Sequence, residues 1–149
     1  MRKAEVLVAE GVFYMVIELD ELEFRRLLDM AYIGNWILNS TRDADRFTDY
    51  DNVESRLFDY CPSYGMQSLT EYVDGVARPS PAFENGGIHE AIADYEDAIF
   101  FEILAEELAR RDMDFEPISQ ENMNELTSRI DEYIEEFEQN GIENISLDR

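Results

Sequence analysis

The spacing of apolar residues separates a short β-rich start from a helical remainder. The segment Glu5–Ala9 is β-branched, Glu10-Gly11 can turn the chain, and residues 12–19 are β-branched and aromatic. Both compositions are typical of strands. The pattern predicts an N-terminal β-hairpin, which must pack against helices because an isolated two-stranded hairpin is only marginally stable.

The first helix is predicted to run from Glu21 to about Asn39. Asp20 suits the N-cap, and Glu23 follows it at the spacing of a capping box. Apolar side chains recur on one face at helical spacing, which predicts that this face is buried. They are Phe24, Leu27, Leu28, Ala31 and Leu38, widened by Ile33 and Ile37.

The middle of the chain gives weaker patterns. After a polar segment over residues 40–51, a short helix is predicted over residues 52–60, ended by Pro62. Residues 64–77 are ambiguous, because their apolar spacing fits one or two helical turns. Residues 78–87 hold two prolines and a pair of glycines, which predicts a loop.

The last third of the chain is predicted to be helical. A short helix over residues 88–93 leads into a longer one that reaches about Arg111. The longer helix is apolar over more than one face, with Phe100 and Leu104 among its large side chains, and this composition predicts the central buried helix.

The final helix is predicted over residues 120–139, with Ser119 as its N-cap and Asn140-Gly141 as its stop. Together these elements give an α+β fold that is predominantly α, with four to six helices and a small N-terminal β-hairpin or sheet. A length of 149 residues suits one domain, so residues 1–149 are predicted to form a single acidic globular domain.

Charge is the property that departs most from an ordinary composition. Thirty-five Asp and Glu face twelve Lys and Arg, which gives a net charge of −23. Hydrophobic residues make up 45% of the chain and aromatic residues 12%, so the acidity belongs to a folded body and not to a disordered tail. Direct binding to nucleic acid or to an anionic membrane surface is disfavoured, and a cationic partner is favoured. An ordinary solubilising surface is the alternative explanation.

Cysteine usage and hydropathy indicate the cellular compartment in which the protein is expected. Cys61 is the only cysteine, which excludes an internal disulfide and favours a reducing compartment. The start of the chain lacks the pattern of a signal peptide. The longest apolar run, residues 12–17, falls well short of the roughly 20 residues that a membrane span needs. We therefore expect a cytoplasmic protein without a membrane partner.

Catalytic and metal-binding motifs are not found in the sequence. Cys61 and His89 could meet in space, yet no nucleophile turn surrounds either of them. EF-hand frames that start at Asp43 or Asp49 lack both the acid at the fifth position and the glycine at the sixth. One histidine cannot complete a di-iron helix bundle. We predict no catalytic residue, no cofactor and no metal, and the chain is not expected to be an enzyme.

A carboxylate-based hydrolase stays as a less favoured alternative. Glycosidases use a pair of carboxyl groups at a set separation. Among thirty-five acids some pair falls at such a distance by chance, so the composition gives this alternative little support.

The acidic residues of the last helix form the clearest functional pattern. Several stand four positions apart, as Asp131 and Glu135 do, and side chains at that spacing lie about 5–6 Å apart at Cβ. Successive phosphates on a DNA strand are a similar distance apart. A second acidic cluster lies in the loop and helix near residue 50. The candidate partner-binding residues are Glu121, Glu125, Asp131, Glu132, Glu135, Glu136 and Glu138 in the last helix, and Asp43, Asp45, Asp49, Asp51 and Glu54 in the second cluster.

Two stretches resemble a group of small, acidic, uncharacterised bacterial proteins. They are LEFRRLLDMAYIGNW, residues 22–36, and YEDAIFFEILAEELARRD, residues 95–112. That group assigns no role to any residue. In charge, size and helical carboxylate ladders the chain also resembles the DNA-mimic inhibitors, the anti-restriction and anti-CRISPR proteins made by phages. This second resemblance is one of physical type, and it implies an inhibitor.

The favoured hypothesis is a binding or inhibitor protein that presents a DNA-mimic-like carboxylate surface to a basic nucleic-acid-binding protein, of the anti-CRISPR or anti-restriction type. Charge attraction then speeds association and makes binding salt-sensitive. The partner is a basic protein or nucleic-acid-binding complex, and not nucleic acid itself. The alternative is an intracellular interaction protein with an ordinary acidic surface.

Overall fold

A computed structural model describes residues 5–9 and 12–146, with side chains from Val16 onward. The fold is α+β and predominantly α, as predicted, and the described residues contain four helices of eleven residues or more. The chain divides into two compact units, Met1–His89 and Glu90–Arg149. A single domain over the whole chain stays a prediction. No helix among the described residues has the length and the apolar run that crossing a membrane takes.

The predicted N-terminal hairpin is confirmed. Strands β1 (Glu5–Ala9) and β2 (Val12–Val16) pair antiparallel. Their register places Glu5 opposite Val16 and Ala9 opposite Val12. The second strand ends at Val16, three residues earlier than the β-branched run in the sequence.

Helix α1 (Glu21–Asn39) has the predicted bounds, and its N-terminus is closed by the predicted capping box. The Glu23 amide donates to the Asp20 carboxylate at 3.0 Å, and the Asp20 amide donates to the Glu23 carboxylate at 2.8 Å. These two bonds satisfy amides that have no partner within the helix. The buried face repeats at three- and four-residue intervals: Phe24, Leu28, Tyr32, Asn35 and Asn39.

Helix α2 (Thr48–Phe58) begins four residues before the predicted start. Asn39, at the end of α1, explains the early start. Its side-chain oxygen accepts from the Phe47 amide at 2.8 Å, and its amide nitrogen donates to the Phe47 carbonyl at 3.1 Å. Both bonds fix the residue that precedes α2, so the loop is tied directly to α1.

A second hairpin follows, in a segment whose apolar spacing predicted helical turns. Strands β3 (Thr70–Val73) and β4 (Val76–Pro79) pair antiparallel. Asp74 and Gly75 join them with φ values of 53° and 80°. Positive φ at both central residues is the geometry of a type I′ turn, which Asp-Gly favours. The predicted helical turns are therefore wrong for residues 70–77. The predicted loop over residues 78–87 is wrong for residues 78–79, which belong to β4, and for residues 81–83, which form a short helix.

Aromatic side chains form the core of the first unit. Phe58 and Phe83 are fully buried, and their ring centroids lie 4.9 Å apart in an edge-to-face arrangement. Ser80 caps the short helix α3 (Pro81–Phe83) by accepting from the Phe83 amide. The backbone then kinks at Gly86 and Gly87, which leave helical geometry, and Gly87 has a φ of 96°, a conformation that glycine adopts without steric cost.

Helices α4 (His89–Asp112) and α5 (Met123–Asn140) make up most of the second unit. Helix α4 is continuous, so the predicted break near residue 93 is wrong. Helix α5 begins three residues later than predicted. A turn precedes it, in which the Ser119 amide donates to the Asn122 side-chain oxygen at 2.8 Å. The core is small: Ala109, Met113 and Leu126, with Ile118, Ile130 and Tyr133 partly buried against it.

The prediction of α4 as a central buried helix is wrong. Phe100 and Ile103 are 52% and 57% exposed. The buried residues of α4 are Ile92, Ala105 and Ala109, and two of these three are small. Small side chains let a neighbouring element approach one face closely, and Phe100 and Ile103 lie exposed elsewhere on the helix.

Candidate functional site

Negative charge is concentrated in the second unit. Residues 90–149 contain nineteen Asp and Glu and four Lys and Arg, a net charge of −15. Residues 1–89 contain sixteen acidic and eight basic residues, a net charge of −8. The second unit therefore carries about two thirds of the charge on two fifths of the chain.

The described basic residues of the second unit form ion pairs within that unit. Arg110 pairs with Glu106 at 2.6 Å, Arg111 with Asp112 at 2.7 Å, and Arg129 with Glu125 at 2.8 Å. These three are the arginines that the structure describes there, since Arg149 falls outside the described residues. No described arginine of the unit is therefore left to pair with its remaining carboxylates.

The predicted residues of the last helix are mostly on its surface. Glu136 is the exception, being half-buried, and its carboxylate accepts from Asn140 at 2.9 Å and from Asn144 at 2.6 Å. Asp131 and Glu135 stand one turn apart on the exposed side. Glu121 lies in the turn before α5 and not in the helix as predicted, and it is exposed. The exposed members of the predicted set on α5 are Glu125, Asp131, Glu132, Glu135 and Glu138.

The second predicted cluster does not form one free carboxylate surface. Asp43 and Asp49 are exposed, whereas Asp45 accepts from Arg42 at 2.6 Å. Asp51 accepts from Arg46 at 2.7 and 3.1 Å, and this guanidinium holds the pKa of the Asp51 carboxyl below its usual value. Glu54 is half-buried. Asp45 thus stays exposed beside Arg42, whereas Asp51 and Glu54 are partly buried.

Asp51 and Glu54 instead face a polar cleft in the first unit. Two adjoining cavities, of about 460 and 440 Å³, lie between α1, α2 and the second hairpin. They share the side chains of Asn35, Arg46, Glu54, Arg78 and Pro79. The larger cavity is also lined by Tyr32, Trp36, Glu71 and Glu84.

Glu54 is the electrostatically perturbed group of this cleft. Burial, together with the negative charges of Asp51 and Glu84, raises the pKa of Glu54 to about 7, against the opposing effects of Asn35 and Arg46. A carboxyl group with a pKa near neutrality can carry or release a proton at physiological pH. The cleft is thus the one described place where acid–base chemistry has a physical basis.

The lone histidine closes one end of the same region. His89 Nε2 lies 2.9 Å from the Tyr32 hydroxyl, and the His89 ring packs edge-on against Trp36. Burial, followed by the charge of Glu84, raises the pKa of Tyr32, so the phenol stays protonated. Tyr32 therefore acts as a hydrogen-bonding wall residue.

Cysteine nucleophilic chemistry gains no support from the structure. Cys61 is fully buried, and burial raises the pKa of its thiol. A thiolate is the reactive form, and an apolar site disfavours it. Within the described part of the chain, no three His, Cys, Asp or Glu side chains are arranged to hold a metal ion.

Sequence reasoning missed the cleft because its walls come from distant segments. One local signal was present: Asp51, Glu54 and Phe58 fall three and four residues apart, on a single face of α2. Phe58 is fully buried. A carboxylate on the same face as a core phenylalanine is expected to turn inward, away from a partner.

Comparisons with known proteins leave the chain without a matched relative. No protein-family model matches it, and neither a curated protein nor a solved structure matches it.

Proposed function

We propose that this chain is an acidic binding protein whose second unit presents a DNA-mimic-like carboxylate surface to a basic nucleic-acid-binding protein, as anti-CRISPR and anti-restriction inhibitors do. The observation that carries the proposal is the −15 charge of residues 90–149, with the described arginines of that unit held in internal ion pairs. Net charge so concentrated raises the local potential that a cationic partner meets.

The arrangement of the carboxylates supports the same function. Asp131 and Glu135 stand at the i, i+4 spacing on a single helix, so their separation is fixed by the backbone. Like charges at that spacing cost a few tenths of a kcal/mol per pair, which an ordinary solvated face has no reason to retain. The partner is a cytoplasmic basic protein or complex, and nucleic acid itself is repelled.

A pull-down tests the proposal. The full chain serves as bait in a nuclease-treated cell lysate at about 50 and 200 mM salt, since charge attraction weakens steeply over that range. The expected result is recovery of a nucleic-acid-binding protein at the lower salt and much less at the higher. The recovered protein should then lose its labelled nucleic acid when the chain is added, as measured by fluorescence anisotropy.

Two outcomes count against the proposal. Capture that is unchanged at about 0.5 M salt means that charge is not the main attraction. A captured protein that keeps its nucleic acid in the presence of saturating chain means that the acidic surface does not occupy the nucleic-acid groove.

The polar cleft favours a second candidate function, that of a carboxylate-based hydrolase. Glu54, with a pKa of about 7, would act as the general acid or base, and Arg78 would bind an anionic or polar group of the substrate. Chromogenic glycosides, esters and phosphate esters test it. Turnover that Glu54→Gln abolishes while the folded state persists supports the candidate, and no turnover with any of the three classes rejects it.

A further inference from the structure

The second unit has an open groove between α4 and α5. Its cavity volume is about 650 Å³. The floor is apolar, formed by Phe101 of α4 and by Ile130, Ile134 and Phe137 of α5. The Phe101 and Phe137 rings lie 5.4 Å apart between centroids, which joins the two helices across the floor.

Carboxylates border this apolar floor. Glu102 and Glu106 line the groove from α4, and Glu138 lines it from α5. Glu106 is paired with Arg110, and the structure describes no ion pair for Glu102 or Glu138. An occupant of this groove must therefore bring apolar side chains to the floor and positive charge to the rim.

Charge decides between two kinds of occupant. A second copy of the chain would bring another unit of net charge −15 against the first, and like charges at close approach oppose association. A cationic segment is attracted by the same field. A helix fits the shape, since a groove between two helices accepts the ridge of a third.

We propose that the groove between α4 and α5 is the docking site for a cationic amphipathic helix of the partner protein; this rests on the proposed function and names the partner's contact element. Apolar residues of the partner at i, i+3, i+4 and i+7 contact Phe101, Ile134 and Phe137. Lys and Arg on the flanks of that stripe pair with Glu102 and Glu138. Specificity then comes from the apolar floor, and the wider acidic surface adds attraction.

A pair of synthetic peptides tests the groove directly. The first is a labelled Leu/Lys helix of about 18 residues, five helical turns, with Leu in a single stripe. The second keeps every Lys and replaces each Leu by Gln. Fluorescence anisotropy with the full chain at about 100 mM salt should show the Leu/Lys peptide binding at least about tenfold more tightly, because only that peptide buries apolar surface.

Two matched substitutions locate the binding. Ile134→Ala removes apolar surface from the groove floor and should weaken the Leu/Lys peptide about tenfold. Ile103→Ala is the control: Ile103 is 57% exposed and stands two positions from Phe101, about 200° around α4. It should leave affinity within about twofold. If circular dichroism shows that Ile134→Ala perturbs folding, Ile134→Val should give a smaller loss of about two- to threefold.

The outcomes separate this inference from the proposed function. Equal affinity for the two peptides, with no effect of either Ile134 variant, contradicts helix docking in the groove and leaves charge-driven binding of a partner intact. A dimer in sedimentation velocity that Ile134→Ala dissociates also overturns it, because the occupant is then a second copy. Peptide binding that depends on Ile134, combined with a chain that fails to displace nucleic acid from its partner, supports the groove and rejects the proposed function.

Discussion

Replacing Glu54 by Gln should stabilise the protein at slightly alkaline pH and leave it nearly unchanged in mild acid. Glutamine keeps the size and hydrogen-bonding capacity of a protonated glutamic acid but cannot ionise. The pKa of Glu54 is about 7, above its ordinary value of 4.5, with burial as the largest cause. The folded state therefore holds the Glu54 proton more tightly than the unfolded chain does.

The sign and size of the change in the free energy of unfolding follow from proton linkage. Between pH 4.5 and about 7 the folded state binds more protons at Glu54 than the unfolded state, so the free energy of unfolding falls as pH rises. Relative to alkaline pH, the tightly held Glu54 proton stabilises the fold fully below pH 4.5, and this contribution is lost above about pH 7. The full difference corresponds to about 3 kcal/mol, at 1.36 kcal/mol per tenfold change in proton affinity. Because the side chain keeps some contact with water, we expect roughly 1–2 kcal/mol.

Two carboxylates with lowered pKa values act at lower pH than Glu54 does. Arg46 lowers the pKa of Asp51, and hydrogen bonds from Tyr133 and Arg111 lower that of Asp112. Groups of this kind contribute stability above their ordinary pKa of 3.8 and lose it as pH falls through the folded value. Their effect is therefore confined to more acidic conditions.

Urea unfolding at about pH 5 and pH 8 measures the effect. Glu54→Gln should gain about 1–2 kcal/mol relative to the wild type at the higher pH and little at the lower. Glu132→Gln removes the same charge from an exposed position of α5 and serves as the matched control. If wild type and Glu54→Gln show the same difference between the two pH values, Glu54 is not the perturbed group and the reasoning about the cleft fails.

Three further outcomes follow from the structure. Phe83→Ala, which empties a fully buried site beside Phe58, should cost about 3–5 kcal/mol in urea unfolding. Phe100→Ala should cost no more than about 1–2 kcal/mol because half of that side chain is exposed, and a loss as large as that of Phe83→Ala would mean that α4 is buried after all. The melting temperature should rise as sodium chloride is increased from about 20 to 200 mM, since screening weakens repulsion among unpaired carboxylates, and a steady fall would show that the acids are mostly paired.

Helix α1 could be predicted from the sequence because its determinants are local. Asp20 and Glu23 form the capping box, and the buried face repeats at helical spacing. The capping box joins residues within one turn, so the start of the helix needed no tertiary information. The buried face was predicted only in part, because Phe24 and Leu28 are buried as expected, whereas Ile37 is 61% exposed and polar Asn35 and Asn39 are buried instead.

The second hairpin was missed although a local signal existed. Asp74-Gly75 stands between Val73 and Val76, and this dipeptide between β-branched residues favours a type I′ turn. Apolar spacing over the preceding residues also fitted helical turns. Turn chemistry was the stronger of the two signals, because few residues adopt positive φ at two successive positions.

Helix α4 shows why hydrophobicity alone did not predict burial. Its apolar residues cover more than one face, and such a helix is buried only if neighbours surround it. Within the second unit, α4 packs through the fully buried Ala105 and Ala109 and through the Phe101 ring, which lies 5.4 Å from that of Phe137, while Phe100 stays exposed. The cleft around Glu54 could not be predicted in full for a related reason: Tyr32, Glu54 and Arg78 are brought together by tertiary structure, not by spacing.

A pair of charge reversals tests the central claim most directly. Asp131→Lys with Glu135→Lys alters the exposed ladder of α5, and Asp43→Lys with Asp49→Lys makes the same change in net charge at exposed sites of the first unit. The measurement is the concentration of each variant that displaces labelled nucleic acid from the captured partner at about 100 mM salt. The α5 reversal should raise that concentration at least about tenfold, and the first-unit reversal no more than about twofold. Equal effects of the two reversals, or no effect of either, would contradict a partner-binding surface on the second unit.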